Sequence, residues 1–333
     1  VTCGQISDQI GRRRTLLPGL VLSAASAVVF LLDDRWSLGL APLFAGRVLS
    51  GLSVGLFTGT ATAALVDLAP ESGRARASLL AAAVNMGGLG LGPVVAGVLA
   101  RYVSRPLSTP FIVDLVLVAL SAIGVWAVPE TVDTAAGGRP RLQRLRVPDE
   151  VRPTFVRAVI AGFAGFSVLG LFTAVSPSFL GQVLHEHSPA VIGVVVFAVF
   201  GSSTAGQVLT AVVGTRPSLI AGCAGLVVGM VLIAVSLELA SLAVLVAGAV
   251  VAGVSQGMSF RAGLSAVNAG SPAGQRSEVA SSYFLALYVA ISLPVIGVGA
   301  AAKAFGLVPS GVVFSVAVAA LAFGALVSLA RSG

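Results

Sequence analysis

Long apolar runs, separated by short clusters of charge, proline and glycine, organise the chain from residue 16 to residue 330. Each is about 17–25 residues, the length that an α-helix rising 1.5 Å per residue needs to cross the hydrocarbon of a bilayer. Ten such runs are read, at roughly 16–32, 40–64, 78–100, 111–128, 155–180, 190–213, 218–237, 241–264, 280–302 and 310–330. Within them Val, Leu, Ala and Gly follow one another without the strict alternation of a half-buried strand, so helices are predicted and a β-barrel is rejected. The longest polar stretch, Pro129 to Pro153, carries Arg139, Arg141, Arg144, Arg146 and Arg152 and has too few apolar residues to span. It divides the chain into an N-terminal half (1–128), a central loop (129–154) and a C-terminal half (155–333).

Composition sharpens this into an all-α, polytopic membrane bundle. Of 333 residues, 56% are hydrophobic and 10% charged, and the mean hydropathy is +1.01, against about 25% charge in a soluble domain. The 40 glycines suit helices that must approach closely, because lipid supplies no hydrophobic force between them. A net charge of +7 would suggest nucleic acid in a soluble chain, but here the basic residues sit between the apolar runs. If the spans alternate across the membrane, one set of loops holds Arg12, Arg13, Arg14, Arg74, Arg76, the five central-loop arginines, Arg157, Arg216, Arg276 and Arg331. The other set holds only Arg35, Arg101, Arg105 and Lys303. The positive-inside rule makes the first set cytoplasmic, with the central loop and the C-terminus. The protein is expected in the cytoplasmic membrane, with no nucleic-acid partner. Cys3 and Cys223 are expected to be inert packing residues.

"PESGRARAS" (Pro70 to Ser78) and "PAGQRSEVAS" (Pro272 to Ser281) share a Pro-x-x-x-Arg loop followed by a small-residue helix, the kind of repeat that marks two-halved transporters. Four spans separate the central loop from the second copy, and two separate the chain start from the first. If the halves are equivalent, the parent has six plus six helices. This chain then holds ten spans and the stub of an eleventh, lacking the first helix and most of the second.

The opening stretch Gly4-x-x-x-Asp8-x-x-Gly11-Arg12-Arg13-Arg14 then falls between the second and third helices of a six-helix half. It resembles the signature loop of the major facilitator superfamily at that position, with Gln9 where a basic residue is usual. Glycines there permit a tight turn, and an aspartate beside arginines offers a charge pair that forms in one conformation and breaks in another. The resemblance implies a conformational switch in which Asp8 approaches the start of the 280–302 helix and Arg12 pairs with Asp67. "RVLSGLSVG" (Arg47 to Gly55) resembles the Arg-x-x-x-Gly-x-x-x-Gly motif of the fourth family helix. An arginine within a span needs a partner or a wet cavity. Arg47 either faces a central cavity or snorkels to the outer interface, about 10 Å away along the helix. Gly88, Gly92, Pro93 and Gly97 resemble the antiporter motif of exporters, which implies a smooth helix face against the other half. "PET" (Pro129 to Thr131) follows the sixth family helix as in many members and discriminates little.

Asn85 and Asp114 join Arg47 as candidates for the cavity or for protons. Gln207, Gln256, Asn268 and Arg261 read as interface residues. His185 and His187, in an outer loop, lack a third ligand nearby, so no metal is expected. A phosphate-binding glycine-rich loop followed by lysine is absent, and no cofactor is implied. The resemblance implies a transporter, not an enzyme, and the expected partners reduce to a small molecule, protons and the bilayer, with the chain acting as a monomer. Proton-coupled efflux of a drug-like or amphipathic compound by alternating access is the expected activity. A proton-coupled uptake symporter and a truncated relative that does not transport are the alternatives. Topology is directly testable: in a background lacking Cys3 and Cys223, a cysteine at Arg144 should be labelled only from the cytoplasm and one at His185 only from outside, and labelling of both from one side contradicts the span assignment.

Overall fold

A computed structural model describes residues 7, 9–36, 39–132, 145, 147–272 and 275–331, with backbone alone for Asp34, Arg35, Trp36, Ala75 and Ser277. Cys3, Gly4, Asp8 and the central-loop arginines other than Arg152 lie outside the described residues. The described chain is helical: α1 Arg12–Trp36, α2 Leu40–Asp67, α3 Arg74–Tyr102, α4 Thr109–Ala127, α5 Arg152–Ala174, α6 Ser176–Gln182, α7 Pro189–Val213, α8 Thr215–Leu239, α9 Leu242–Gly270, α10 Arg276–Phe305 and α11 Leu307–Arg331. A 3₁₀ turn, Glu71–Gly73, leads into α3. Ten of these helices are long and apolar enough to cross a membrane, and each corresponds to one of the ten runs.

The run 155–180 differs from expectation, because it resolves into two helices, α5 and α6, parted at Val175. Pro177 in the first turn of α6 has no N–H for the carbonyl of Thr173 and would crowd it, so a continuous helix loses a bond there. The Thr173 hydroxyl already turns back to the Leu169 and Gly170 carbonyls, at 3.0 and 3.1 Å.

By contacts the chain forms two compact units. Unit 1 holds Val1–Asn85 and Val98–Arg144, and unit 2 holds Met86–Gly97 and Leu145–Gly333. In unit 1, α2 lies along α1 and α4 flanks α1. Gly46 is the closest approach: the Phe30 ring lies where its Cβ would be, and the Ser26 hydroxyl donates to the Gly46 carbonyl at 2.8 Å. Phe30 is stacked in turn on Phe111 of α4, with centroids 4.9 Å apart.

In unit 2, α9 is the central helix, packed against α8, α7 and α5. Small residues set these approaches. Against α8, Gly229 meets the Cα and Cβ of Ala252, and Gly248 meets Ile233. Against α7, Gly253 lies on the Val199 carbonyl, Gly257 on the Ser203 carbonyl, and Gly206 of α7 on the Val254 carbonyl. Against α5, Gly165 seats the side chain of Gln256, and Gly162 and Gly263 together seat the phenol of the fully buried Tyr283 from α10. Buried polar groups bond locally or across helices, as hydrocarbon requires. Ser203 donates to Gln256 at 2.5 Å, and Ser167 reaches the Ala290 carbonyl at 3.2 Å.

The repeat seen in two loops extends to whole elements: α9 begins 202 residues after α2, and α10 begins 202 after α3. The same offset carries Gly46, Gly51 and Gly55 onto Gly248, Gly253 and Gly257. Their surroundings differ, since Gly51 and Gly55 have no neighbour within 4 Å. Gly257→Ala should therefore lower the thermal midpoint, costing about 1–3 kcal/mol as an overpacked contact, whereas Gly55→Ala should leave it unchanged or slightly raised. Equal midpoints for the two variants in detergent would contradict the packing.

Candidate functional site

The first turn of α1 is electrostatically wrong by itself. Arg12, Arg13 and Arg14 stand where the helix dipole is positive, with no acid in that turn. The structure supplies acids from two other helices. The Glu130 carboxylate, just beyond α4, accepts the backbone N–H of Arg12 at 2.7 Å and of Arg13 at 3.1 Å. It also accepts the N–H groups of Thr131 and Val132. Asp67, the last residue of α2, accepts from Arg12 Nε at 3.0 Å, while Arg12 Nη1 donates to Ser7 at 2.7 Å. The Arg13 guanidinium lies 5.5 Å over the Trp126 ring of α4.

Gly11 is required twice over. Its φ of +110° is one that a side chain resists, and a Cβ would fall 2.6 Å from Glu130 Oε2. The expected Arg12–Asp67 pair is thus formed, and Gly11, Arg12, Arg13 and Asp67 gather at one end of unit 1; Gly4 and Asp8 themselves lie outside the described residues. Glu130 and Trp126 were not singled out by sequence. The available signal was the cationic first turn, which demands an acid from elsewhere.

Arg47 is exposed on α2, seven residues into the helix. Its guanidinium is 5.7 Å from the Phe30 centroid, and it forms no ion pair with a described residue. Asp114 is half-buried one turn beyond Phe111 on α4. Asn85 belongs to α3, which makes no extended contact with α1, α2 or α4, so Asn85 is not gathered with Arg47 and Asp114.

The glycine–proline segment divides by face. Pro93 and Gly97 lie against α7: Gly97 rests on the Pro189 carbonyl, Gly193 on the Pro93 carbonyl, and Gly90 beneath Phe197 and Phe200. Gly88 and Gly92 have nothing within 4 Å. This corrects the expectation that Gly88, Gly92 and Gly97 share the contact face. At 100° per residue, Gly88 and Gly92 point about half a turn away from Gly90 and Gly97. The Met86–Gly97 segment is thereby part of unit 2. Gln207 and Gln256, expected at interfaces, are buried beside Ser203 between α7 and α9. Among the described residues no group of three potential metal ligands occurs.

The profile of the Major Facilitator Superfamily matches residues 1–294. The chain belongs to the major facilitator superfamily. Its fold is shared with the human organic anion transporter MFSD10 (TETRAN), at TM-score 0.68 and 19% identity, covering 98% of this chain and 79% of that one. It is shared too with the E. coli xylose transporter XylE in a partially occluded inward-open conformation, at 0.66 and 16%, covering 97% and 83%. A POT family transporter in complex with 5-aminolevulinic acid gives 0.74 at 14% identity, covering 97% and 82%. In sequence, the quinate permease of Neurospora terricola is 28% identical over 133 residues, 37% of this chain, and the match spans 23% of the permease.

These contacts predict that Glu130→Gln, which removes the charge and one of the two acceptor oxygens at the start of α1, raises hydrogen exchange at the Arg12 and Arg13 amides by about tenfold while leaving α9 amides protected. Unchanged exchange at Arg12 and Arg13 would show that Glu130 does not hold the start of α1.

Proposed function

We propose that the chain carries a small amphipathic organic molecule across the cytoplasmic membrane by alternating access, outward and in exchange for protons. The supporting observation is the α3–α7 seam, where Pro93 and Gly97 bring a kink-prone helix into backbone contact with Gly193 and Pro189. Where the backbones meet at Pro93, Gly97, Pro189 and Gly193 no long side chain interlocks, a contact that suits sliding while excluding water. The Arg12–Asp67 pair is about one-third exposed on its acidic side, and such pairs contribute about 1 kcal/mol or less. A contact of that strength suits a latch that opens and closes within a transport cycle. Asp114, half-buried and without a described partner, is the proton-carrying candidate in this reading. The protein acts as a monomer with its central loop and C-terminus in the cytoplasm.

A second reading, proton-coupled uptake, is favoured by one specific observation, the resemblance to a quinate permease. Direction separates them. Cells making the protein should survive higher doses of some lipophilic compound, and collapsing the proton gradient should abolish the advantage. Gly97→Leu, which drives a side chain into the Pro189 carbonyl, should abolish it at unchanged membrane abundance, whereas Gly92→Leu should retain much of it. Sensitisation of the cells, or proton-dependent accumulation inward, puts uptake in place of export.

A further inference from the structure

We propose that the end of unit 2 where Arg157 of α5, Arg216 of α8 and Arg331 of α11 converge holds the head group of an anionic phospholipid, with its acyl chains along the exposed faces of α8 and α11. The inference is independent of the direction and coupling of transport. Packing brings the three arginines together. α8 and α11 run antiparallel: Gly311, near the start of α11, meets Leu237, near the end of α8. Leu329, near the end of α11, shares a buried cluster with Leu219, near the start of α8, and with Ala161 of α5. Arg216 stands three residues before Leu219, Arg331 two after Leu329 and Arg157 four before Ala161, so each leaves the cluster within about 6 Å along its helix axis. Arg157 shares the helix face of Ala161 and Arg216 that of Ile220, which packs on the same cluster.

The charge at this end is one-sided. Among the described residues, Arg152, Arg157, Arg216 and Arg331 stand against Asp149 and Glu150, which precede α5. Asp149 lies 4.0 Å from Arg152, and the first turn of the adjoining α10 carries one charge of each sign, Arg276 and Glu278. Three like charges drawn together by apolar packing repel one another, and an anion among them relieves that repulsion. Arg216 and Arg331 are exposed and Arg157 is half-buried, so the guanidinium groups are within reach of a head group at the membrane surface.

The surroundings select a lipid over a free anion. Leading away from the arginines, both helices present large apolar side chains outward: Val228, Val231 and Val235 on α8, and Val313, Val316 and Phe323 on α11. At 100° per residue Val313 falls directly in line with Arg331. A cationic tip that continues into two exposed apolar helix faces fits a molecule with an anionic head and hydrocarbon tails, and arginine stems lie along apolar surface while their heads reach the phosphate. In the proposed topology this end faces the cytoplasmic leaflet, whose anionic lipids attract basic side chains by about fivefold in affinity for each one near the surface.

The test titrates the purified full chain in detergent with dioleoyl phosphatidylglycerol or dioleoyl phosphatidylcholine and counts retained lipid by native mass spectrometry. Phosphatidylglycerol should bind at least about tenfold more tightly. Arg157→Gln, Arg216→Gln and Arg331→Gln should each cut that preference by about fivefold, and the triple variant should erase it. Arg216→Lys should keep most of it, because an ammonium also attracts phosphate as a point charge. Arg105→Gln and Lys303→Gln, which each remove one cation from the opposite set of loops, should leave it intact, and inorganic phosphate should not displace the lipid. Thermal midpoints of the single variants, expected to be unchanged, separate loss of the site from loss of the fold. Equal affinity for the two lipids, a preference that survives the triple variant, or an equal loss on Arg105→Gln or Lys303→Gln overturns the proposal. Displacement by inorganic phosphate overturns it too, since the arginines then hold a free anion and no lipid.

Discussion

Two helices in a bilayer gain nothing by hiding apolar surface from each other, since lipid tails are as apolar as leucine. What holds them is how closely their backbones approach. That constraint explains unit 2 from α9 outward. Its glycines let α7 come down with carbonyls directly on Gly253 and Gly257, and they let α8 reach Gly248 and Ala252. With the backbones so near, Ser203 and Gln256 meet across the seam at mid-helix. Large side chains then fill the remaining gaps, as Phe166, Phe260, Tyr283 and Phe284 do around α5, α9 and α10.

A second constraint acts at the helix ends. If the start of α1 is cytoplasmic, as proposed, the positive-inside rule favours arginines there, where the dipole opposes them. Glu130, Asp67 and the Trp126 ring resolve that conflict together, tying the ends of α2 and α4 to the beginning of α1. In the proposed topology, membrane orientation and local structure pull in opposite directions at Arg12 to Arg14, and the network lies where they meet. A contact that satisfies a local penalty without deep burial is also one that can be undone at modest cost, which suits the proposed switching role.

Much of the fold was legible because hydrocarbon thickness fixes the length of a span and internal hydrogen bonding fixes its helical form. All ten spans follow from run length alone. The break before α6 was not read, although Pro177 announces it, because an apolar run does not reveal whether its helix continues. The Arg12–Asp67 pair was readable through resemblance. Glu130 was not, since a residue 118 positions away from Arg12 leaves no periodic trace. The glycine–proline segment shows the limit most clearly. Its residues were identified, but the face in contact with α7 belongs to Gly90, Pro93 and Gly97, and only the placement of α7 tells this face from that of Gly88 and Gly92.

The proposed coupling of a small organic molecule's movement to the movement of protons is open to direct test. Purified full-length chain in sealed liposomes with an internal pH-sensitive dye tests it most directly. A pulse of transported substrate, with no imposed gradient, should change the lumenal pH at a rate proportional to substrate flux, and an imposed pH gradient should drive substrate uphill. Substrate flux that leaves the lumenal pH unchanged and is indifferent to the gradient would contradict the claim.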